Sequence, residues 1–429
     1  MSSPREKPAK LPFVVPLLAL GTFLMSTTEF IIAGVLPEMA GDLGVSVSQT
    51  GLLITAFAIG MIVGAPVISL ATLRLPKRLT LVLALAAFVA GHVIAAVSSD
   101  FTVVLAARVL TAIATGAFLS VAAIVATTAA GPAAASRAMG VMMSGMGLAI
   151  VAGVPLGSYV GQSIGWRGTF WALAVLAALA AVAIGKLVPA EETHRDAAPS
   201  LRSQLGVVRH GRMWLVLAAT ALVSGGFLAA YSYISTLLTE RTGISEGAVP
   251  LVLVGFGIGA LVGTNVVGRL GDRRPLTVFF GIAGGSALVL LLLIPLSTST
   301  VPTIVLVVLL GLTGMGITSI ATPLAVRFGH TAPGLAAALT VSGFNVGIAI
   351  GSWIAGSALE SSLGATGPEV VGLIMAALAL IPLTVLAAMR ATRTGHTPRD
   401  TPSAPETTAP QGPEAAAQEQ SEARPMTTV

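Results

Sequence analysis

A chain of 429 residues that is 55% apolar and only 10% charged, with a mean hydropathy of +0.91, carries too little polar surface to cover an apolar core in water. The absence of cysteine excludes disulfides, thiol catalysis and Cys-based metal sites. Segments of ~10 residues with strict alternation, the mark of a membrane barrel, are missing, and the 48 glycines lie within apolar runs, as expected of membrane helices packed backbone against backbone. The reading is an all-α membrane protein.

Residues 1–10 form a basic N-terminus that runs into the first apolar stretch. That stretch is too long for a signal peptide and no small-residue cleavage site follows, so it is expected to stay as the first helix. A crossing needs about 20 apolar residues. Such stretches fall at 11–36, 49–71, 79–98, 101–126, 137–160, 166–188, 213–238, 247–268, 276–296, 301–326, 334–358 and 368–390. They divide into an N-terminal bundle, 11–188, and a C-terminal bundle, 213–390, joined by a linker of mixed charge, 189–212. Residues 391–429 are rich in Pro, Thr, Ala and Glu and are expected to be a disordered tail. Of the 23 basic residues, all but Arg108, Arg167 and Arg241 fall on one side of this alternation. That bias predicts a cytoplasmic location for both termini. The net charge of +5 therefore reflects topology and gives no reason to expect a nucleic-acid partner.

Along the helices, Glu29 is the only carboxylate expected inside a helix core and Arg108 the only base. Each costs roughly 2.5–3.5 kcal/mol at mid-membrane, and normally faces a cavity or a partner. Glu29, Arg108 and His92 all fall on the order of 10 Å from the same membrane boundary, counted at the helical rise. An acid, a base and an imidazole at one level suit proton exchange. Burial penalises charge and an opposite charge relieves it, so the protonation balance of such a group changes as a cavity opens or fills. The competing expectations are a static Glu29–Arg108 ion pair and a His92 that only bridges helices. Phe227 and Tyr231 on the seventh helix, Asn265 on the eighth and Asn345 on the eleventh are candidate substrate contacts. Tyr231 and Tyr233 cannot share a helical face. Trp166, Trp171 and Trp214, near helix ends, read as interfacial anchors.

The two halves match at a separation of 199 residues: Phe57–Gly64 with Phe256–Gly263, Gly44-Val45-Ser46 with Gly243-Ile244-Ser245, and Arg74-Leu75-Pro76 with Arg273-Arg274-Pro275. Two parallel six-helix bundles around a central cavity suit alternating access. At residues 11–390 the chain resembles the major facilitator superfamily. Its Gly-x-x-x-Asp-Arg-x-Gly loop motif reads Gly268 to Pro275 here, with Asp272 and Arg273 in place. In the first half Leu73 stands where the family has Asp, before Arg74. Arg108-Val109-Leu110 resembles the family's fourth-helix Arg motif, and Gly153-Val154-Pro155-Leu156-Gly157 the fifth-helix motif of exporters. Glu29-Phe30, Gly34 and Pro37 are similar to the first-helix signature of twelve-helix drug:proton antiporters. Residues 71–78 and 165–171 look closest to its bacterial chloramphenicol-resistance branch.

That resemblance implies proton-coupling roles for Glu29 and Arg108, to which His92 is added on its depth alone, cytoplasmic gating by Arg74, Asp272 and Arg273, and packing or hinge roles for Gly153, Pro155 and Gly157. It also implies a monomer in a bacterial plasma membrane. The function expected is proton-coupled export of small amphipathic compounds, chloramphenicol-like antibiotics first, with a proton gradient as the energy source and no cofactor or metal. A sugar or nucleoside exporter is the alternative, for which more Asn, Gln and charged residues would be expected in the cavity. A membrane enzyme lacks a clustered nucleophile, metal ligands or paired carboxylates, and no Walker-type loop offers ATP hydrolysis. A channel fits the two-half repeat poorly.

Overall fold

In the computed structural model, which describes residues 11–71, 75–188, 211–329 and 333–394, the apolar stretches are helices. The expected N-terminus, most of the linker, the tail beyond residue 394, Leu73 and Arg74 lie outside the described residues. Eleven described helices are long and apolar enough to cross a membrane, and a twelfth crossing, the first, is a pair bent by 52°. By contact, residues 1–388 form one unit; of the second, 389–429, only the end of the last helix is described.

The first span is Val14–Phe30 followed by Ile32–Leu43, so it runs past the expected end at residue 36. Its break has a local cause. Pro37 has no N–H to give the carbonyl of Ala33, and Val35 leaves the helical region (φ −131°, ψ 18°). The second to fourth spans are Val47–Ala71, Lys77–Val97 and Phe101–Ala130. Asp100 caps the fourth by accepting from the amides of Thr102 (2.7 Å) and Val103 (3.2 Å). The fifth, Ala135–Leu148 and Val154–Ile164, contains a π-turn at Ala149–Gly153 immediately before Pro155. The sixth is Trp166–Leu187.

In the second half, the seventh span is Gly211–Ser232, broken at Tyr233 (φ −115°, ψ 18°) and continued by Ile234–Thr236 and a π-turn, Leu237–Arg241. The eighth and ninth are Val249–Gly271 and Pro275–Leu296. The tenth is Thr300–Gly314 with Ile317–Phe328, and the eleventh is Pro333–Leu359. The twelfth is Gly367–Leu378 with Leu380–Thr394.

The 199-residue register survives in the backbone. Gly44 and Gly243 both end a helix or turn in the left-handed region (φ 65° and 74°), and Gly165 and Gly364 repeat the pairing (φ 87° and 54°). Gly60 and Gly64 press on Val109 and Ile113 of the fourth span, as Gly259 and Gly263 press on Val308 and Leu312 of the tenth. The span breaks at Val35 and Tyr233 also fall within one residue of equivalence.

The cores are distributed unequally across the membrane. On the side away from the basic loops, Phe30 to Met39, Leu53 and Trp166 of the first half join the second half's apolar core. On the basic-loop side, Val14 to Met25, Leu81 to Phe88 and Ala117 to Ala126 form a separate cluster. Among the described residues, the apolar core shared by the two halves therefore gathers away from the basic loops. Leu83, Leu179, Leu251 and Val301 are exposed, a pattern for lipid as solvent.

Where backbones touch, added volume has nowhere to go. Gly259→Val is expected to destabilise by about 1–3 kcal/mol, because its side chain overlaps the Val308 carbonyl. Gly281→Val, at an exposed glycine with no atom near, is the matched control. Thermal unfolding in detergent reads both, and equal midpoints would contradict the packing.

Candidate functional site

The polar groups of the first half gather around one hydroxyl. Thr28 Oγ accepts from Arg108 (3.0 Å), whose other terminal nitrogen donates to the Thr28 carbonyl (3.0 Å). The same hydroxyl lies 2.9 Å from His92 Nε2, and His92 Nδ1 lies 2.8 Å from the carbonyl of Phe88. A carbonyl only accepts, so Nδ1 carries a hydrogen. With Nε2 bare, Thr28 donates to it while accepting from Arg108, and every hydrogen in the chain is placed. The Arg108 guanidinium also lies 4.4 Å over the Phe57 ring, and its Nε is buried without a partner.

Glu29, one residue on, is half-buried and lines a cavity between the halves. No hydrogen bond or ion pair joins its carboxyl to any described residue. The static Glu29–Arg108 ion pair is not formed, because Thr28 engages both terminal nitrogens of Arg108. The cavity draws Glu29, Phe30 and Ala33 from the first span, Ile54, Phe57 and Ala58 from the second, Leu228, Tyr231 and Ser232 from the seventh, and Asn345 and Ile348 from the eleventh. Its volume, about 20 Å³, suits a water. Sites for compounds need roughly 300–1,000 Å³. Tyr231 stacks on Phe256 (4.3 Å between centroids) and meets Phe30 edge-on. Asn345 donates to Val341 O (3.0 Å) and keeps a buried, unpartnered Oδ1.

Above the cavity, away from the basic loops, the halves are tied together. Ser235 donates to Ala33 O (2.9 Å), the carbonyl stranded by Pro37, and Ser46 donates to Glu360 (2.7 Å). Thr55 and Ser352 share a bond of 2.8 Å. Tyr233 lies against Gly51 and Gly356 and donates to Ser352 O (3.1 Å). The break that separates it from Tyr231 sends one tyrosine to the cavity and the other to this closure.

Several expected residues stand elsewhere. Phe227 is buried against Gly314 and Phe344 and is absent from the cavity lining. Asn265, expected to be buried, is exposed, and its amide turns back to Leu261 O of its own helix (2.8 Å). Asp272 and Arg273 are exposed, and neither forms an ion pair with a described residue. Gly153 and Gly157 pack against Thr27 and Ile31, with Pro155 following the π-turn. Trp166 is no interfacial anchor. It is 2% exposed and donates to Asp42 (2.9 Å), which also pairs with Arg167, whereas Trp171 and Trp214 are exposed. Glu29 is also not the only carboxylate within the helices, since Glu369 is fully buried.

Nothing in the sequence singles out Thr28 or Ser235. Most hydroxyls in these spans bond a carbonyl one turn back, as Thr22 does to Leu18 and Thr220 to Val216, so a hydroxyl alone is no signal. The usable sign for Thr28 is its place beside Glu29. Thr28→Val strips partners from two buried groups and is expected to cost about 1–3 kcal/mol, while Thr28→Ser keeps them. Thermal unfolding of the two variants checks this. Equal midpoints would mean that the hydroxyl anchors nothing.

Comparison with known proteins identifies the family. The model of the Major Facilitator Superfamily matches residues 18–333. A chloramphenicol resistance protein of Streptomyces lividans is 35% identical over 374 residues, covering 86% of this chain and 95% of that one. The inner membrane transport protein YdhP of Escherichia coli K12 is 30% identical over 373 residues, covering 87% and 95%. The crystal structure of a mutant of the nucleoside transporter NupG matches 88% of this chain and 99% of that one, with a TM-score of 0.71 at 12% identity, a likeness of fold. With its all-helical spans in two pseudo-symmetric six-helix bundles, the chain belongs to the major facilitator superfamily and is a multi-pass membrane transporter.

Proposed function

We propose that the chain is a proton-coupled exporter of small amphipathic compounds, with chloramphenicol-like antibiotics the first candidates. The observation that carries this reading is Glu29. A carboxyl without a partner, in a cavity shared by both halves and beside an anchored Arg108, is a group that can take and release a proton as the halves move. The resistance protein of Streptomyces lividans supports the substrate class. So does the lining, where Glu29, Tyr231, Ser232 and Asn345 are the polar members of an otherwise apolar set.

The mechanism follows from exclusive occupancy. The basic-loop side is taken as cytoplasmic, with both termini there. The closed side is then external, and the conformation described is closed to the outside. A compound entering from the cytoplasm parts the bundles around Tyr231 and Asn345, whose free Oδ1 accepts from a donor on the compound. Opening outward exchanges the compound for a proton on Glu29, and the inward proton gradient, with no other cofactor, drives the cycle. His92 holds Thr28, and through it Arg108, in place. Closure of the cytoplasmic side would bring in two loops, that of Arg74 and that of Asp272 and Arg273, with flexing at Gly153, Pro155 and Gly157. One chain in a bacterial plasma membrane suffices, since the cavity is complete within it.

A pump-deficient bacterium expressing the chain is expected to accumulate several-fold less chloramphenicol, an effect abolished by a protonophore and by Glu29→Gln. Full gradient-driven efflux in Glu29→Gln would sink the coupling role. Sugars and nucleosides belong in the same panel as the alternative compounds. Export of either, without that of the drug, would favour that alternative.

A further inference from the structure

Glu369 is the one fully buried carboxyl among the described residues, and neither of its oxygens has a hydrogen-bond partner. It is the third residue of helix Gly367–Leu378, at the end away from the basic loops. Acids in a first helical turn usually serve the helix N-terminus from the surface. Glu369 is buried instead, with its own backbone N–H the amide nearest its carboxyl.

Its cover comes from within the second half. The helix that carries it packs against Gly226 of the seventh span, Leu290 of the ninth and Ala358 of the eleventh. The turn Leu237–Arg241 rests on Gly364–Thr366 just before it. Titratable groups on these elements are Arg212, at the basic-loop end of the seventh span, Tyr231 and Tyr233 farther along it, Glu240 and Arg241 on its tip, and Glu360 beyond the eleventh; the ninth span has none. Among the described residues, Arg241 is the group whose charge reaches Glu369. Arg241 is exposed and is steered by the bond of its Nε to Ser297 (2.6 Å). A carboxylate sealed without a donor is far costlier than a carboxylic acid in the same place. The segment that seals it also closes this side, through Ser235 on Ala33 O and Tyr233 on Gly51 and Gly356. The partners of that segment on the first half, Ala33 O and Gly51, are lost where the halves part.

We propose that Glu369 is a second proton-binding site, filled from the side that is closed in this structure, which holds its proton while that side is shut and returns it to the same water when it opens. The O–H bond forms on closing and breaks on opening, with water as donor and acceptor. No proton crosses the membrane through it. Closure of that face thus takes up one proton more than the Glu29 cycle requires. Opened, Glu369 gains water as a stabiliser of its ionised form, beside the Arg241 charge that already reaches it.

The proposal rests on the transporter reading in one respect, that this face opens, and its test uses no transported compound. The cysteine-free chain accepts spin labels at Ser99→Cys and Thr298→Cys, exposed and equivalent positions at the ends of the two halves on this face. Electron–electron distances in nanodiscs then report its opening across mildly acidic to mildly alkaline buffers. The parent is expected to show a several-fold larger open fraction at alkaline pH. Glu369→Gln is expected to lose that response, and Glu29→Gln to keep at least part of it. Arg241→Gln, an exposed change that leaves the core intact, is expected to reduce the open fraction at alkaline pH several-fold. A response unchanged in Glu369→Gln, one abolished by Glu29→Gln alone, an Arg241→Gln variant identical to the parent, or a parent insensitive to pH would each overturn the site. Failure to export any compound, with these distances behaving as expected, would overturn the transport reading and leave the site standing.

Discussion

A carbonyl inside hydrocarbon must find its donor within the protein. Pro37 removes the donor that the helix would have supplied to Ala33 O. The bend that follows leaves Gly34 O to the hydroxyl of Ser158 (2.6 Å) and Ala33 O to that of Ser235 (2.9 Å). Ser158 belongs to the same half and Ser235 to the other. One missing N–H therefore fixes the first span against the fifth and makes the second half its partner at the closed face. The cavity lies directly below this junction, with Glu29 one turn before Ala33.

The pseudo-symmetry is a property of the scaffold, and the chemistry departs from it. Glycine contacts and left-handed turns recur at 199 residues because backbone separation admits few alternatives. At the same register, Thr28, Glu29, His92 and Arg108 correspond to Phe227, Leu228, Leu291 and Val307. The second half fills with Phe227 against Gly314 the space where the first half threads a hydroxyl between an arginine and a histidine. A buried polar network has to be complete, since a half-satisfied one costs more than an apolar core. Keeping it in one half leaves the other free to supply apolar walls and Asn345.

The span count, the two-half register and the convergence of His92 with Arg108 are legible in the sequence, because each rests on composition or on distance along a helix. What is not legible depends on direction around a helix. Asn265 and Asn345 look alike in their apolar surroundings, yet one is exposed and bonded to its own helix while the other lines the cavity. The spans are apolar all round, facing lipid on one side and protein on the other, so hydrophobic periodicity does not rank their faces. Trp166 misleads for the same reason: a position near a helix end suggests an anchor until Asp42 is seen beneath its indole nitrogen. Glu369 passes as an ordinary first-turn acid because its burial is created by the seventh, ninth and eleventh spans together.

The strength of the closed face bears on how the molecule moves. Among the described residues, the hydrogen bonds between the halves there are Ser46 to Glu360, Thr55 to Ser352 and Ser235 to Ala33 O. Each contributes about 0.5–1.5 kcal/mol net in a setting where water can replace it. Ties of that size are reversible by a ligand that favours one state by a few kcal/mol. A cavity of about 20 Å³ admits no such ligand without parting the bundles. Occupancy and opening are therefore one event: the apolar area that a compound buries between Tyr231, Phe57 and Ile348 is gained only by separating the halves around it. The same reasoning explains why Arg108 is anchored to Thr28 and forms no ion pair with Glu29. An ion pair across the cavity wall would hold its charge through both states, whereas an unpartnered carboxyl changes its surroundings with each.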